Sequence, residues 1–313
     1  MSSQRILISG SVAYDTIMVF DGQFKDHILP DRVHMLNVAF LTPRLKREFG
    51  GCAANIAYTL KALGGEPTIL ATVGLDGQPC LDRLAGLGID VGRIRLLPQA
   101  YTAQAFITTD LADNQITAFH PGAMAFAHEV SARGLPAAFG IVAPNGKEAM
   151  LAHAREFAAD GVPFLFDPGQ GLPMFDGAEL RSLIGLAAAV TVNDYEAGML
   201  VERTGWSESE IASRVRALIV TRGAEGCQIW SASGCVSVPA APISEARDPT
   251  GCGDAFRGGL LYGLSVGWDW VRAARLGSVM GAIKIECQGA QNHAVSREAV
   301  AERHQRAYGA LPW

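Results

Sequence analysis

The stretch DPTGCGDAF, at positions 248–256, says more about the fold and chemistry of this protein than any other part of the sequence. Its two closely spaced glycines let the backbone turn sharply and let a ligand approach it closely. The pattern predicts a helix that begins here, with the N–H groups of Gly251, Cys252 and Gly253 pointing outward at its positively polarised end. Asp254, in the first turn, would place a carboxylate beside them. The stretch therefore predicts an anion site for a phosphoryl group, with a proton acceptor next to it.

Outward from this stretch, short apolar runs alternate with segments of helix length. Candidate strands lie at 6–10, 68–73, 139–143, 163–167, 189–193 and 218–221, and candidate helices at 53–63, 147–159 and 194–203. This alternation predicts βαβ units, and hence an α/β protein with a mostly parallel sheet covered on both faces. In the helix after position 252, Gly259, Gly263 and Gly267 predict close packing against a neighbouring helix.

Two regions interrupt this rhythm. Residues 13–40 and 101–119 show alternating strand patterns with no helix between them. They predict antiparallel strands added to the main sheet, forming a small β lid at approximately 13–48 and 100–120 within a single domain that spans 1–313. Edge hairpins with no role in binding are the alternative.

Composition and missing motifs exclude several classes of protein. The 313 residues carry a net charge of −5 without a dense Lys/Arg run, which argues against nucleic acid and an acidic membrane surface as partners. No apolar run approaches the length of a membrane span, and six scattered cysteines without a CxxC pair predict reduced thiols. GxGxxG, Walker A and zinc-ligand spacings are missing. We therefore expect a soluble cytoplasmic protein.

The 248–256 stretch strongly resembles the C-terminal signature of the ribokinase-like family, also called the PfkB carbohydrate kinase family. That signature usually reads D-T-x-G-A-G-D, and here Pro249 and Cys252 replace the Thr and the Ala. Both changes keep the N–H groups of the predicted anion site. The resemblance implies a three-layer αβα ribokinase-like fold and an ATP-dependent kinase with Asp254 as the catalytic base.

Other family patterns follow in the expected order. GGCAAN at 50–55 is similar to the N-terminal G-G-x-x-x-N pattern, and Asp15 follows the first strand. The resemblance implies that Asp15, Gly51 and Asn55 hold the hydroxyl groups of the substrate. Taken alone, these residues also fit a Gly-rich helix entry and a turn.

Two further patterns concern the nucleotide. NDYE at 193–196 matches the N-x-x-E element of the family, and TRGAEG at 221–226 resembles its T-x-G-x-x-G turn. The resemblance implies that Asn193, Thr221 and Gly223 lie near the phosphates of ATP, and that Glu196 acts on Mg²⁺ through water. A helix cap and a hairpin turn are the alternative interpretations.

The resemblance also implies activation by K⁺, bound through loop carbonyls at Asp248 and Thr250. It leaves the oligomeric state open between a monomer and a homodimer.

Three weaker signals favour a nucleoside over a sugar as the acceptor. GAQNH at 289–293 and FHPGAM at 119–124 resemble segments of prokaryotic nucleoside kinases, and Arg257 stands where many sugar kinases have a small or apolar residue. They make Gln291 and Asn292 candidate nucleotide contacts. We predict adenosine as the acceptor. The alternatives are another nucleoside, a sugar as in ribokinases and fructokinases, and a non-catalytic regulator that binds such molecules.

A purine needs an apolar wall, and the lid segments offer apolar side chains for one. The candidates are Val19, Phe20, Leu36, Val38, Phe40, Phe106 and Phe119. Packing within the lid or at a dimer interface explains most of them equally well.

Overall fold

The computed structural model describes residues 5–28, 37–112 and 114–313; Leu36, one of the candidates for the purine wall, lies outside these ranges. The strands in the described ranges are β1 (Arg5–Ser9), β2 (Ala13–Val19), β3 (Arg44–Gly50), β4 (Glu66–Gly74), β5 (Ile94–Leu97), β6 (Ala103–Thr109), β7 (Gln115–His120), β8 (Phe139–Val142), β9 (Phe164–Phe166), β10 (Ala189–Asn193), β11 (Ala217–Thr221), β12 (Cys227–Ser231) and β13 (Gly234–Val238). The α-helices there are α1 (Cys52–Ala62), α2 (Gln78–Gly86), α3 (Lys147–Ala159), α4 (Gly177–Leu186), α5 (Asp194–Thr204), α6 (Glu208–Ala212), α7 (Cys252–Ser265), α8 (Trp270–Ile285) and α9 (Arg297–Tyr308).

A nine-stranded sheet forms the centre of the molecule, in the order β13-β12-β11-β10-β9-β8-β1-β4-β5. Along this order, each pair of neighbouring strands from β11 to β5 is parallel. At the other edge, β12 and β13 pair antiparallel. The predicted strands and helices are confirmed to within two residues at each end. None of the helices in the described ranges is long and apolar enough to cross a bilayer.

Helices cover both faces of this sheet. Along β1, Ile6 and Ile8 pack in one apolar cluster with residues of α1, α2, α7 and α8, whereas Leu7 packs in a second cluster with residues of α3, α4 and α5. Successive side chains of a strand point to opposite faces, so an uninterrupted apolar strand is buried on both. The predicted three-layer αβα architecture is confirmed.

The lid strands form a separate sheet in the order β3-β2-β6-β7. The prediction of antiparallel strands added to the main sheet was wrong in two respects, since the sheet stands apart and its central pair, β2 and β6, is parallel. The reason lies in the connections. β2 follows β1 and β6 follows β5, and both preceding strands run in the same direction through the large sheet. Both lid strands therefore leave the same edge with the same direction.

Helix α7 packs closely against α8 through small residues. A Cβ on Gly259 would come within 2.8 Å of the Gly277 Cα, and one on Gly263 within 2.8 Å of the Ala273 Cβ. The predicted close packing is confirmed for these two glycines. Gly267 lies beyond the end of α7 with a φ of 81°, so its role is to turn the chain rather than to pack a helix.

Candidate active site

Polar side chains gather at the carboxyl edge of the large sheet. Asp167 directly follows β9, and Asn193 and Thr221 are the last residues of the neighbouring strands β10 and β11, where they are register partners. The carboxyl ends of adjacent parallel strands meet at one edge, which is where open α/β sheets bind ligands. The start of α7 joins this edge through a buried contact between Arg257 and Asp167.

Asp254 lies in the first turn of α7, which begins after Gly251 in the left-handed conformation with φ 78°. Its Oδ2 accepts a hydrogen bond of 2.8 Å from Nδ2 of Asn55, in the first turn of α1. Gly51 precedes that helix with φ 92°, and a Cβ there would come within 2.5 Å of the Ser11 carbonyl oxygen. Burial raises the pKa of Asp254, while the Asn55 hydrogen bond opposes the rise. Such a carboxylate is a better proton acceptor than an exposed one.

The amide of Asn55 is itself held in place. Nε2 of Gln291 donates to Oδ1 of Asn55 at 2.9 Å, and Nη2 of Arg83 donates to the Gln291 carbonyl oxygen at 2.8 Å. This chain orients the Asn55 amide so that its N–H points at Asp254. Gln291, predicted as a nucleotide contact, is buried, and its side chain holds Asn55 rather than facing open space. Asn292 is exposed and donates to the Gln288 carbonyl oxygen.

The structure removes one N–H group from the predicted anion site. The N–H of Cys252 donates to the Pro249 carbonyl oxygen at 3.1 Å, so it does not point outward as predicted. The first bond of the helix runs from the Ala255 N–H to the Gly251 carbonyl oxygen at 2.9 Å. The preceding N–H groups at the start of a helix have no partner within it. The N–H groups of exposed Gly253 and of Asp254 are therefore available to bind an anion.

A buried ion pair beneath this helix start was not identified from the sequence. Nη2 of Arg257 donates to Oδ1 of Asp167 at 2.8 Å, and Nε of Arg257 contacts Oδ2 of the same carboxylate. A Cβ on Gly253 would lie 2.8 Å from Nη1 of Arg257, so the guanidinium sits directly beside the anion site. Burial raises the pKa of Asp167, and the charge of Arg257 opposes that rise. The sequence feature that could have indicated this ion pair is an Asp directly after the apolar run FLF at 164–166.

Asp15, on β2, brings a second carboxylate towards Asp254. Burial, together with the nearby charges of Asp254, Glu48 and Asp248, raises the pKa of Asp15 to about 6. Glu48 is the register partner of Asp15 on β3. A Cβ on Gly50 would approach the Asp15 Oδ2 to 2.5 Å. The lid therefore presents two adjacent carboxylates to the space in front of Asp254.

The register of the lid sheet separates the two predicted aromatic contacts. Phe119 is the partner of Ala105, which is the partner of Asp15, so Phe119 lies on the same face as the carboxylate. Phe106 is the partner of Thr16 and lies on the opposite face. Phe106, predicted to line the acceptor site, therefore lies on the face away from Asp15, because adjacent residues of a strand point to opposite faces.

The other lid aromatics pack with one another. The ring of Phe20 lies 4.9 Å from that of Phe40 and 6.1 Å from that of Phe24. Phe20 and Phe24 are buried, so these rings form a small apolar cluster of their own. For Phe20 and Phe40 the alternative of packing within the lid is confirmed.

Asn193 and Glu196 form a reciprocal helix cap at the start of α5. Oδ1 of Asn193 accepts from the Glu196 N–H at 2.7 Å, and Oε2 of Glu196 accepts from the Asn193 N–H at 2.8 Å. Glu196 is also close enough to Asp167 and Arg257 to influence their pKa values. Thr221 donates to the Val192 carbonyl oxygen at 3.3 Å, and Gly223 lies in the turn that joins β11 to β12.

These residues fit a magnesium ion that arrives with a nucleotide. Mg²⁺ keeps several waters and is usually held by one or two carboxylates together with substrate phosphates, and Glu196 lies at the edge of the site where phosphates would lie. In the described ranges no three His, Cys, Asp or Glu side chains come together as a complete metal cage.

The predicted K⁺ site does not fit the loop. The carbonyl oxygen of Asp248 accepts a hydrogen bond of 2.7 Å from Nζ of Lys284, so an ammonium group already occupies one of the two carbonyls predicted to hold the cation. The carboxylate of Asp248 accepts from the N–H groups of Thr250 at 2.8 Å and Gly289 at 2.7 Å.

A family model for the pfkB family carbohydrate kinases matches residues 12–297. The chain belongs to this family. The ribokinase-like fold and the kinase activity predicted from the 248–256 stretch are thereby confirmed.

Three relatives place the chain within the family. A nucleoside kinase from Burkholderia thailandensis, solved in complex with inosine, is 52% identical over 98% of this chain and 99% of its own, with a TM-score of 0.89. A nucleoside kinase from Methanocaldococcus jannaschii is 28% identical over 86% of this chain and 90% of its own length. An aminoimidazole riboside kinase from Salmonella typhimurium is 29% identical over 77% of this chain and 83% of its own length. The Burkholderia enzyme has also been solved in complex with ADP-inosine, at 54% identity over 98% of this chain and 97% of its own, with a TM-score of 0.87.

Proposed function

We propose that the protein is an ATP-dependent nucleoside kinase that transfers the γ-phosphoryl group of ATP to the 5′-hydroxyl of a nucleoside. The observation that carries this proposal is the placement of Asp254, whose carboxylate is held by Asn55 directly beside the N–H groups of the α7 start. A hydroxyl that contacts this carboxylate would face a phosphoryl group bound by those N–H groups.

Each residue of the site has a defined task in this reaction. Asp15 accepts hydrogen bonds from the ribose hydroxyls, and Asn55 holds Asp254 towards the 5′-hydroxyl. Asp254 accepts the proton of that hydroxyl as its oxygen attacks the γ-phosphorus. The charge on the transferring group is stabilised by the N–H of Gly253 and by the guanidinium of Arg257.

Glu196, with Asn193 beside it, would hold Mg²⁺ through water. A bound Mg²⁺ neutralises charge on the phosphates of ATP. Thr221 ends β11 and Gly223 lies in the turn after it at the same edge, and both are proposed to contact those phosphates.

The acceptor is proposed to be a purine nucleoside. The carboxylates of Asp15 and Glu48 on one face of the lid suit the paired hydroxyls of a ribose, and Phe119 on that face offers an aromatic wall for a base. Adenosine remains our predicted substrate, and the inosine complex of the Burkholderia relative makes inosine the second. The ADP-inosine complex of that relative supports ATP as the donor.

The test is a coupled assay of ADP release with ATP and one acceptor at a time. The panel contains adenosine, inosine, guanosine, aminoimidazole riboside, ribose, fructose and fructose 6-phosphate. We expect the nucleosides to give the highest kcat/KM, with the product identified as the 5′-monophosphate by phosphorus NMR. Turnover of only free sugars would make the protein a sugar kinase. A thermal shift with a nucleoside but no turnover would make it a binding protein.

A further inference from the structure

Lys284 is a buried lysine that the reaction described above does not use. It lies in the last turn of α8 with no exposed surface, in the apolar sequence AIKI. Its Nζ donates to the carbonyl oxygen of Asp248 at 2.7 Å and to that of Cys287 at 3.1 Å. A lysine is almost never fully buried unless its charge has partners. The burial of this ammonium therefore indicates a specific task at these two carbonyls.

The local environment stabilises a positive charge at this point. The last carbonyls of a helix carry partial negative charge, and Lys284 lies at that end of α8. The charge of Lys284 also contributes to lowering the pKa of Asp248, together with the N–H groups of Gly289 and Thr250. The ammonium is thus held by two carbonyls, a helix end and a nearby carboxylate.

The same contacts join Lys284 to the anion site. The 247–251 loop is tied to α8 because the N–H groups of Arg247 and Asp248 both donate to the Ile285 carbonyl oxygen, at 2.9 and 3.1 Å. Within this loop, Asp248 also accepts the Thr250 N–H through its carboxylate. Only two residues then separate Thr250 from Gly253, whose N–H faces the incoming anion. The position of the Asp248 carbonyl therefore influences the shape of the anion site.

We propose that the ammonium of Lys284 serves as a built-in cation for the 247–251 loop, so that phosphoryl transfer needs no added K⁺. The inference rests on the proposed kinase function. A potassium ion bound by carbonyl oxygens and an ammonium bound by the same oxygens satisfy the same dipoles. In this chain the ammonium of Lys284 already binds the Asp248 carbonyl oxygen. Because the ammonium is covalently attached to the protein, its presence there does not depend on the salt in solution. Lys284 is a positioning residue, because it acts on the anion site through the loop.

The first experiment uses the wild-type protein and one salt at a time. Initial rates with ATP and the best acceptor are measured in KCl, NaCl and choline chloride at equal ionic strength. We expect the rates in the three salts to agree within about twofold. Activation by K⁺ over choline of more than about fivefold would overturn the proposal, because an intrinsic cation leaves nothing for K⁺ to supply.

The second experiment removes the ammonium with Lys284→Met, which keeps a long apolar side chain. In choline chloride we expect kcat to fall by about 10–100-fold, with KM for the nucleoside little changed, as is typical when a supporting contact is lost. KCl or NH₄Cl should restore part of kcat and raise the melting temperature of this variant, but not that of the wild type. The matched control is Lys61→Met, which removes a lysine from the last turn of α1 and should leave both properties unchanged.

The outcomes separate this inference from the proposed function. A folded Lys284→Met variant with unchanged kcat in choline would overturn the role of the lysine. If Lys284→Met does not fold, the wild-type salt comparison decides. If the wild type turns over no acceptor, the kinase proposal fails, and a K⁺-dependent melting temperature in the wild type would separately refute the built-in cation.

Discussion

Replacing Asp254 with asparagine tests the assignment of the base. The substitution keeps the size of the side chain, and Oδ1 of the new amide can still accept the 2.8 Å hydrogen bond from Nδ2 of Asn55. It removes only the negative charge that accepts the proton. A general base contributes about 10²–10⁴ to the rate, which corresponds to about 2.7–5.4 kcal/mol of activation free energy. We therefore expect kcat of Asp254→Asn to fall by about that factor while KM for the nucleoside changes little.

The melting temperature of Asp254→Asn should not fall along with its kcat. Burial raises the pKa of Asp254, so its ionised form destabilises the folded state near pH 7. Asparagine carries no charge to desolvate. The melting temperature of Asp254→Asn should therefore equal or exceed that of the wild type, which separates loss of chemistry from loss of fold.

The measurement is ADP release under saturating ATP and nucleoside, together with a thermal melt of each protein. The matched control is Glu298→Gln, which neutralises an exposed carboxylate in the first turn of α9, away from the site. This control should keep wild-type kcat. A folded Asp254→Asn enzyme with kcat within about threefold of the wild type would refute the assignment of Asp254 as the base.

Three further predictions follow from the neighbours of the base. Gln291→Met leaves Oδ1 of Asn55 without its donor, so kcat should fall by about 10–100-fold with little change in KM for ATP, as steady-state kinetics would show. Because the folded pKa of Asp15 is about 6, kcat/KM for the nucleoside should fall as pH drops through 6, and Asp15→Asn should abolish that step in the pH profile. Arg257→Met leaves Asp167 buried without its partner and should lower the free energy of unfolding in urea by about 3–5 kcal/mol. Adding Asp167→Leu to Arg257→Met should recover most of the lost free energy of unfolding. It should not recover kcat, since the guanidinium beside Gly253 is still missing, and recovery of kcat would contradict the role of Arg257 at the anion site.

The large sheet was predictable from the sequence because each of its signals is local. The apolar runs at 139–143 and 189–193 are strands in the structure, and the helix predicted from position 252 begins there. The hydrogen bond between Asp254 and Asn55 was not predicted, since 199 residues separate them and the family resemblance implied only that Asn55 contacts the substrate. Local patterns therefore define the elements, and the site arises where distant elements meet.

The remaining details depend on contacts that no local pattern contains. The face that Phe106 occupies depends on the pairing of β2 with β6, two strands about ninety residues apart. The engagement of the Cys252 N–H depends on how the loop closes over Pro249. In the sequence, Lys284 is an isolated charged residue in an apolar helix, and its hydrogen bond to the Asp248 carbonyl oxygen is evident only in the structure. In each case tertiary structure decides which of several locally acceptable arrangements is adopted.

The hairpin of β6 and β7 restricts how this protein can change in length during evolution. Asp110 closes the hairpin, since its N–H donates to the Asn114 carbonyl oxygen and its carboxylate accepts from the N–H groups of Asn114 and Phe24. Insertion of one residue into β7 before Phe119 would turn that ring to the outer face, whereas insertion of two would restore its side. Among homologues, length changes within this strand should therefore come in pairs, while single insertions should be confined to connections outside the paired residues.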